Sequence, residues 1–176
     1  MSDFVYRAIF VAIIGLGLSS PQVSEADGKP VHLTYAGSGI DTAVDTNSDG
    51  LPVSLSQANG KGTFGQFAIA ITTEFALSSG ECTSSDELYL SLLSSEDVLT
   101  FSDQSQLFGI SGDGDGFICL DPTTGYYHGQ VEGDYVGGTG RFQGATGKFT
   151  SEFDGQYLRT DVGFRSIAGT AVATLD

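Results

Sequence analysis

The sequence predicts an all-β fold: a closed antiparallel barrel of about eight strands, with a two-sheet β-sandwich as the competing architecture. Three observations point there. Past residue 30, apolar residues recur at every second position and nowhere keep a sustained 3.6-residue period, which marks half-buried strands rather than helices. Clusters of Gly, Asp, Asn and Pro interrupt these segments at short intervals. They leave no room for the helical crossovers that a parallel sheet needs. Glycines also fall inside the strand segments, where tight curvature and a tapering interior call for small residues, and that favours the barrel.

The chain starts with a segment of a different kind. Arg7 and the amino terminus precede an apolar run from Ala8 to Leu18, followed by polar residues and by Ser24 and Ala26. Such a run is too short for the ~20 residues that span a bilayer. It has the charged start, apolar middle and small-residue end of a secretory signal peptide. Residues 1–26 are therefore expected to be removed, leaving 27–176 as a single domain that is secreted or periplasmic and has no membrane attachment after cleavage.

The strands follow in order. Val31, Leu33 and Tyr35 alternate with His32, Thr34 and Ala36. Phe67, Ile69, Ile71, Thr73, Phe75 and Leu77 alternate with smaller residues and with Glu74. Apolar segments at Leu88 to Leu93, Val98 to Phe101, Leu107 to Ile110 and Gly116 to Leu120 come next. The Asp121-Pro122-Thr123-Thr124-Gly125 turn then leads into a long strand from Tyr126 to Val136. From Lys148 to Tyr157, Phe149, Phe153 and Tyr157 share one face, while Lys148, Thr150, Glu152, Asp154 and Gln156 share the other. A last strand of small and β-branched residues runs from Arg165 to Thr174.

Charge narrows the function classes. The chain has 22 acidic and 7 basic side chains, a net charge of -15. Nucleic acid and anionic lipid are both recognised through clustered Lys and Arg, so neither is an expected partner. Cys82 and Cys119 are an even pair, and export to an oxidising compartment would join them. Closing that loop is worth about 4 kcal/mol in the chain-entropy description.

Between Val136 and Phe149 the chain reads VGGTGRFQGATGKF. Its glycines allow a sharp excursion between two adjacent strands, with Phe142 plugging one barrel end and Arg141 pairing with a nearby carboxylate. No GK[ST] ending, following helix or βαβ unit supports a phosphate-binding loop. This GGTGRFxGATG hairpin resembles that of the allene oxide cyclase barrel-like and dirigent-like proteins, in particular their secreted bacterial branch. Asp49-Gly50-Leu51-Pro52, Gly62-Thr63-Phe64-Gly65 and Gly169-Thr170 fit the same group. The resemblance implies an eight-stranded antiparallel barrel, often a homo-oligomer, that holds apolar ligands and in some members steers cyclisation or radical coupling. It carries no catalytic residue over to this chain.

Candidate residues follow from the alternation. The interior set comprises Tyr35, Phe67, Ile69, Ile71, Tyr127, Tyr135, Phe149 and Phe153. These residues would line a lumen for a small apolar molecule, with buried phenols orienting a carbonyl or hydroxyl. The alternative is a solid core without a cavity. Were the small-residue face of its strand the inner one, Glu74 would be the candidate catalytic carboxylate, its pKa raised by burial. Three readings are thus carried forward: a ligand-holding barrel without chemistry, a cyclase or isomerase using the same lumen, and a calcium-stabilised surface or matrix interaction protein. The third rests on Asp45, Asn47 and Asp49, which have the D-x-N-x-D-G spacing of a calcium loop. The twelfth position of that loop is Ser56 rather than Glu, so an ion would need further ligands, Asp41 among them. The alternative is an Asx-rich turn. His128 and Glu132 share a face that parallels the solvated face of the next strand. That predicts an exposed row rather than an acid/base pair. No other cofactor is expected.

Overall fold

A computed structural model describes residues 30–45 and 50–176, and these form one continuous antiparallel sheet. Its strands are β1 (Pro30–Asp41), β2 (Ser54–Gly62), β3 (Gly65–Leu77), β4 (Leu88–Phe101), β5 (Gln106–Ser111), β6 (Gly116–Leu120), β7 (Tyr126–Gly138), β8 (Gly147–Arg159) and β9 (Phe164–Leu175). The sheet closes: β1 pairs with both β2 and β9, and β3 pairs with β4. Eight strands make the barrel. The ninth, β6, pairs with the first half of β4 and the first half of β7, whereas β5 pairs with their second halves. Strands β5 and β6 thus run end to end as one interrupted stave, broken at Gly112–Asp115. The expected barrel is the observed one, and the sandwich is excluded by this closure. The signal-peptide expectation lies outside the described residues.

Alternation settles which face is inside. In β1, Val31, Leu33 and Tyr35 are buried while His32, Thr34 and Ala36 are exposed. In β7, Tyr127, Val131 and Tyr135 are buried while Tyr126, Glu132 and Asp134 are exposed. β8 repeats this with Phe149 inside and Glu152, Asp154 and Gln156 outside. A one-residue register slip would invert each of these sets.

Two segments depart from the expected strand list. β2 reads SLSQANGKG and has no apolar alternation to announce it. Its inward positions are Ser56, Ala58, Gly60 and Gly62 because its neighbours fill the space: a Cβ at Gly60 would run into the Phe67 ring, and one at Gly62 into Leu33. The two apolar runs of 88–93 and 98–101 are one strand, β4, with a bulge at Leu93. The polar stretch Ser94-Ser95-Glu96-Asp97 hides that continuity in the sequence.

The two barrel ends are built differently. At one, the β7–β8 excursion forms a short 3-10 turn at Gly140–Phe142 that drops Phe142 into the core, 4% exposed. Its ring packs 4.8 Å from Phe101 and 5.3 Å from Phe64. Arg141 covers this cluster, its guanidinium 4.8 Å from the Phe101 ring and 4.9 Å from Phe142. It donates to the Phe64 carbonyl at 3.0 Å and stands 3.5 Å from Asp103. Both expectations for this hairpin hold. The other end is polar, with Arg165, Asp41 and Tyr157 gathered at it. Cys82 and Cys119 form a disulfide that ties the β3–β4 connection to β6. Among the described residues no helix is long and apolar enough to cross a membrane.

Candidate functional site

The barrel interior contains a cavity of about 70 Å³. All eight expected lumen residues line it: Tyr35, Phe67, Ile69, Ile71, Tyr127, Tyr135, Phe149 and Phe153. The volume holds a few water-sized groups, far below the several hundred Å³ of an ordinary ligand cleft. Much of the lumen is filled by those same aromatic and branched side chains. Toward the polar end a second pocket of about 210 Å³ adjoins it. The two share Phe75, Ile118, Tyr127 and Arg165 in their walls, so the inner cavity and the mouth pocket are neighbours on either side of these four side chains.

Sequence reasoning missed the most informative lumen residue, Asp97. In β4 it stands opposite Ile71 of β3 and Gly109 of β5, on the same face as Ser95, Leu99 and Phe101. A period-two count back from Phe101 and Leu99 would have reached it. Its Oδ1 accepts a hydrogen bond from the Ser95 hydroxyl at 3.3 Å. Burial penalises the charged form and pushes its pKa up to about 6, with the Ser95 hydrogen bond a smaller opposing effect.

Two phenols share its field. Tyr35 lies 2.8 Å, hydroxyl to hydroxyl, from Ser151, whose hydroxyl donates to the Thr170 carbonyl at 3.4 Å. Burial raises Tyr35 to about 12; Ser151 opposes and Asp97 adds to the rise. Tyr135 is raised further, first by burial and then by Asp97 and Tyr35. Both phenols stay neutral at physiological pH.

The mouth is organised around Arg165, 6% exposed. Its guanidinium donates to Asp41 Oδ1 and, at 3.2 Å, to the Ser56 hydroxyl. Asp41 also accepts from Ser54 at 2.6 Å and from Tyr157 at 2.9 Å. Burial, then the Asp41 charge, raises the Tyr157 phenol to about 12. Tyr127 donates to the Ser166 carbonyl at 2.5 Å; burial raises its pKa despite the nearby Arg165. Buried cations need such partners, and Arg165 has them from two strands, Asp41 on β1 and Ser56 on β2.

The other candidates lie elsewhere. Glu74 is buried, 1% exposed, with the Ser94 hydroxyl 3.4 Å from its carboxylate. It alternates with Thr73 and Phe75, which line the cavity, and is not itself in the cavity wall. The condition attached to its catalytic role is therefore not met, because the small residues Ala68 and Ala70 on its face are exposed. His128 pairs across to Glu87 at 3.8 Å rather than with Glu132. Asp45 accepts from the Gly50 amide at 2.8 Å, while Asn47 and Asp49 lie outside the described residues. Asp41, a suggested further calcium ligand, is committed to Arg165, Tyr157 and Ser54 instead. Cys82 and Cys119 are joined, with the Glu87 carboxylate beside them.

What remains is an aromatic inner cavity lined by the Asp97 carboxylate, with an adjoining polar mouth where Arg165 meets Asp41. Such a site suits a small molecule that is mostly apolar with one polar group. No protein-family model matches this chain, and no curated protein matches it either.

Proposed function

We propose that this chain is an exported barrel protein of the allene oxide cyclase-like kind that carries a small, largely apolar molecule in its lumen. The observation that carries the reading is the aromatic-lined cavity itself. Eight apolar and phenolic side chains from β1, β3, β7 and β8 converge on a cavity that adjoins a wider pocket at the barrel mouth. A protein that needed only a stable core would gain by closing this space, since voids forfeit packing energy. The closed eight-strand barrel supports the family resemblance. The disulfide supports an oxidising compartment, and with it export.

Native mass spectrometry of the full chain purified without denaturation tests this. A small bound mass is expected in the wild type, and its loss in Ile71→Trp, which fills the inner cavity from β3. A wild type of bare protein mass that takes up no apolar compound would end the proposal.

A second reading, ring closure of a bound reactive intermediate, is favoured by one observation. Asp97 stands near its titration point at neutral pH beside two phenols, as a group exchanging protons with a substrate would. An unchanged product ratio in Asp97→Asn would remove that reading.

A further inference from the structure

The lumen carries a charge imbalance. Of the residues lining it, Asp97 and Arg165 are the charged ones, and the Arg165 guanidinium is occupied by Asp41 and Ser56. Among the described residues no cationic side chain forms an ion pair with Asp97. Facing it are Tyr35 from β1, Ile71 from β3, Gly109 from β5, Tyr135 from β7, and Phe149 and Ser151 from β8. None of these is a cation, and the two phenols are neutral.

The space around this carboxylate is kept open by a missing side chain. A Cβ at Gly109 would stand 3.0 Å from Asp97 Oδ2 and 3.1 Å from the Phe149 ring. Tyr135 and Phe149 lie face to tilted face there, their centroids 5.0 Å apart. A carboxylate in such surroundings is costly unless a cation or hydrogen-bond donors meet it, and the donor that meets Asp97, the Ser95 hydroxyl at 3.3 Å, is uncharged. Aromatic faces beside it add attraction for a cation and none for an anion. The surrounding net charge of -15 raises the local concentration of cations further.

Resting on the carrier reading above, we infer that the guest is a small organic amine, an apolar body whose protonated nitrogen pairs with Asp97. The inner cavity of about 70 Å³ accepts the ammonium group and a few carbons, being smaller than the ~150 Å³ that houses benzene. A longer apolar tail reaches past the shared side chains Phe75, Ile118 and Tyr127 into the adjoining pocket of about 210 Å³ at the Arg165 mouth.

Titration calorimetry on the full chain at pH 7.5 and ~0.15 M salt, with n-butylamine and 1-butanol as probes of equal length, tests the inference. Butylamine is expected to bind roughly 10- to 100-fold more tightly than butanol, the range of a charge-assisted hydrogen bond. Asp97→Asn is expected to erase that preference. In the wild type, lowering the pH from 7.5 to 5 should weaken butylamine about tenfold as Asp97 takes up a proton, the alkylammonium staying charged throughout. Equal affinity of the wild type for both probes overturns the inference without relying on any variant. Unchanged butylamine affinity in a folded Asp97→Asn overturns it too. Either result leaves the carrier reading standing. Failure of both probes, together with a bare mass in native mass spectrometry, overturns the carrier reading and this inference with it.

Discussion

Asp97 sets the behaviour of the interior at the scale of single residues. Its folded pKa of about 6 lies above the ordinary carboxylate value of 3.8, so the folded state holds the proton more tightly than the unfolded chain. Stability from this group is therefore greatest at low pH and is lost as pH rises from about 4 to about 6, after which it is level. Asp97→Asn should remove that slope and leave the protein about 2–3 kcal/mol more stable than wild type at pH 7.5, with little difference at pH 4. Urea unfolding of both proteins at the two pH values checks it; a wild-type advantage at pH 7.5 would contradict the burial argument. The Arg165–Asp41 pair makes an asymmetric prediction. Asp41→Ala strands a buried guanidinium and should cost about 3–5 kcal/mol. Arg165→Met leaves an aspartate whose side chain is 37% exposed and can be rehydrated, so it should cost clearly less. The two denaturation midpoints decide the order.

Among the elements, the β7–β8 excursion shows how a motif with little apolar content can close a barrel. Its glycines let the chain turn back over the end, and one large apolar side chain does the sealing. Phe142→Ala should destabilise by about 3–5 kcal/mol, the usual cost of emptying a buried aromatic site. Arg141→Ala should cost about 1 kcal/mol, because its contacts are half exposed stacking and hydrogen bonding. Thermal unfolding of the two variants separates them. The elements also show where sequence reading succeeds and fails. β1, β3, β7 and β8 were legible because bulky residues alternate with polar ones along each. β2 was not, since its inward side chains are small where Phe67, Leu33 and Arg165 reach across to fill the space. Asp97 was hidden for a related reason: a carboxylate inside a strand breaks the apolar pattern used to find inward positions. Glu74 drew attention as the acid of an apolar strand, yet it lies on the opposite face from the cavity.

For the whole molecule, closure and cross-linking govern stability. The disulfide closes a loop with a sequence separation of 37, and replacing both cysteines by serine should cost about 2–4 kcal/mol. The measurement is the urea midpoint of Cys82→Ser/Cys119→Ser against that of the wild type with its disulfide intact. A reduced wild type should match the variant. Closure also explains why so much of the lumen was legible. Once eight alternating strands form one ring, every inward set must meet the others at the axis, so a list of inward aromatics is already a list of neighbours.

From the sequence alone came the all-β class, the inward and outward faces of the main strands, the plugging hairpin and the pairing of the two cysteines. These are local properties, written in period-two patterning, turn chemistry and parity. Tertiary structure alone decided that the lumen holds only a small cavity, that Arg165 spends its charge on Asp41, and that Asp97 faces aromatic rings with no cation beside it among the described residues. Cavity size and charge balance depend on which side chains from non-adjacent strands share the same volume, and no stretch of sequence contains that information.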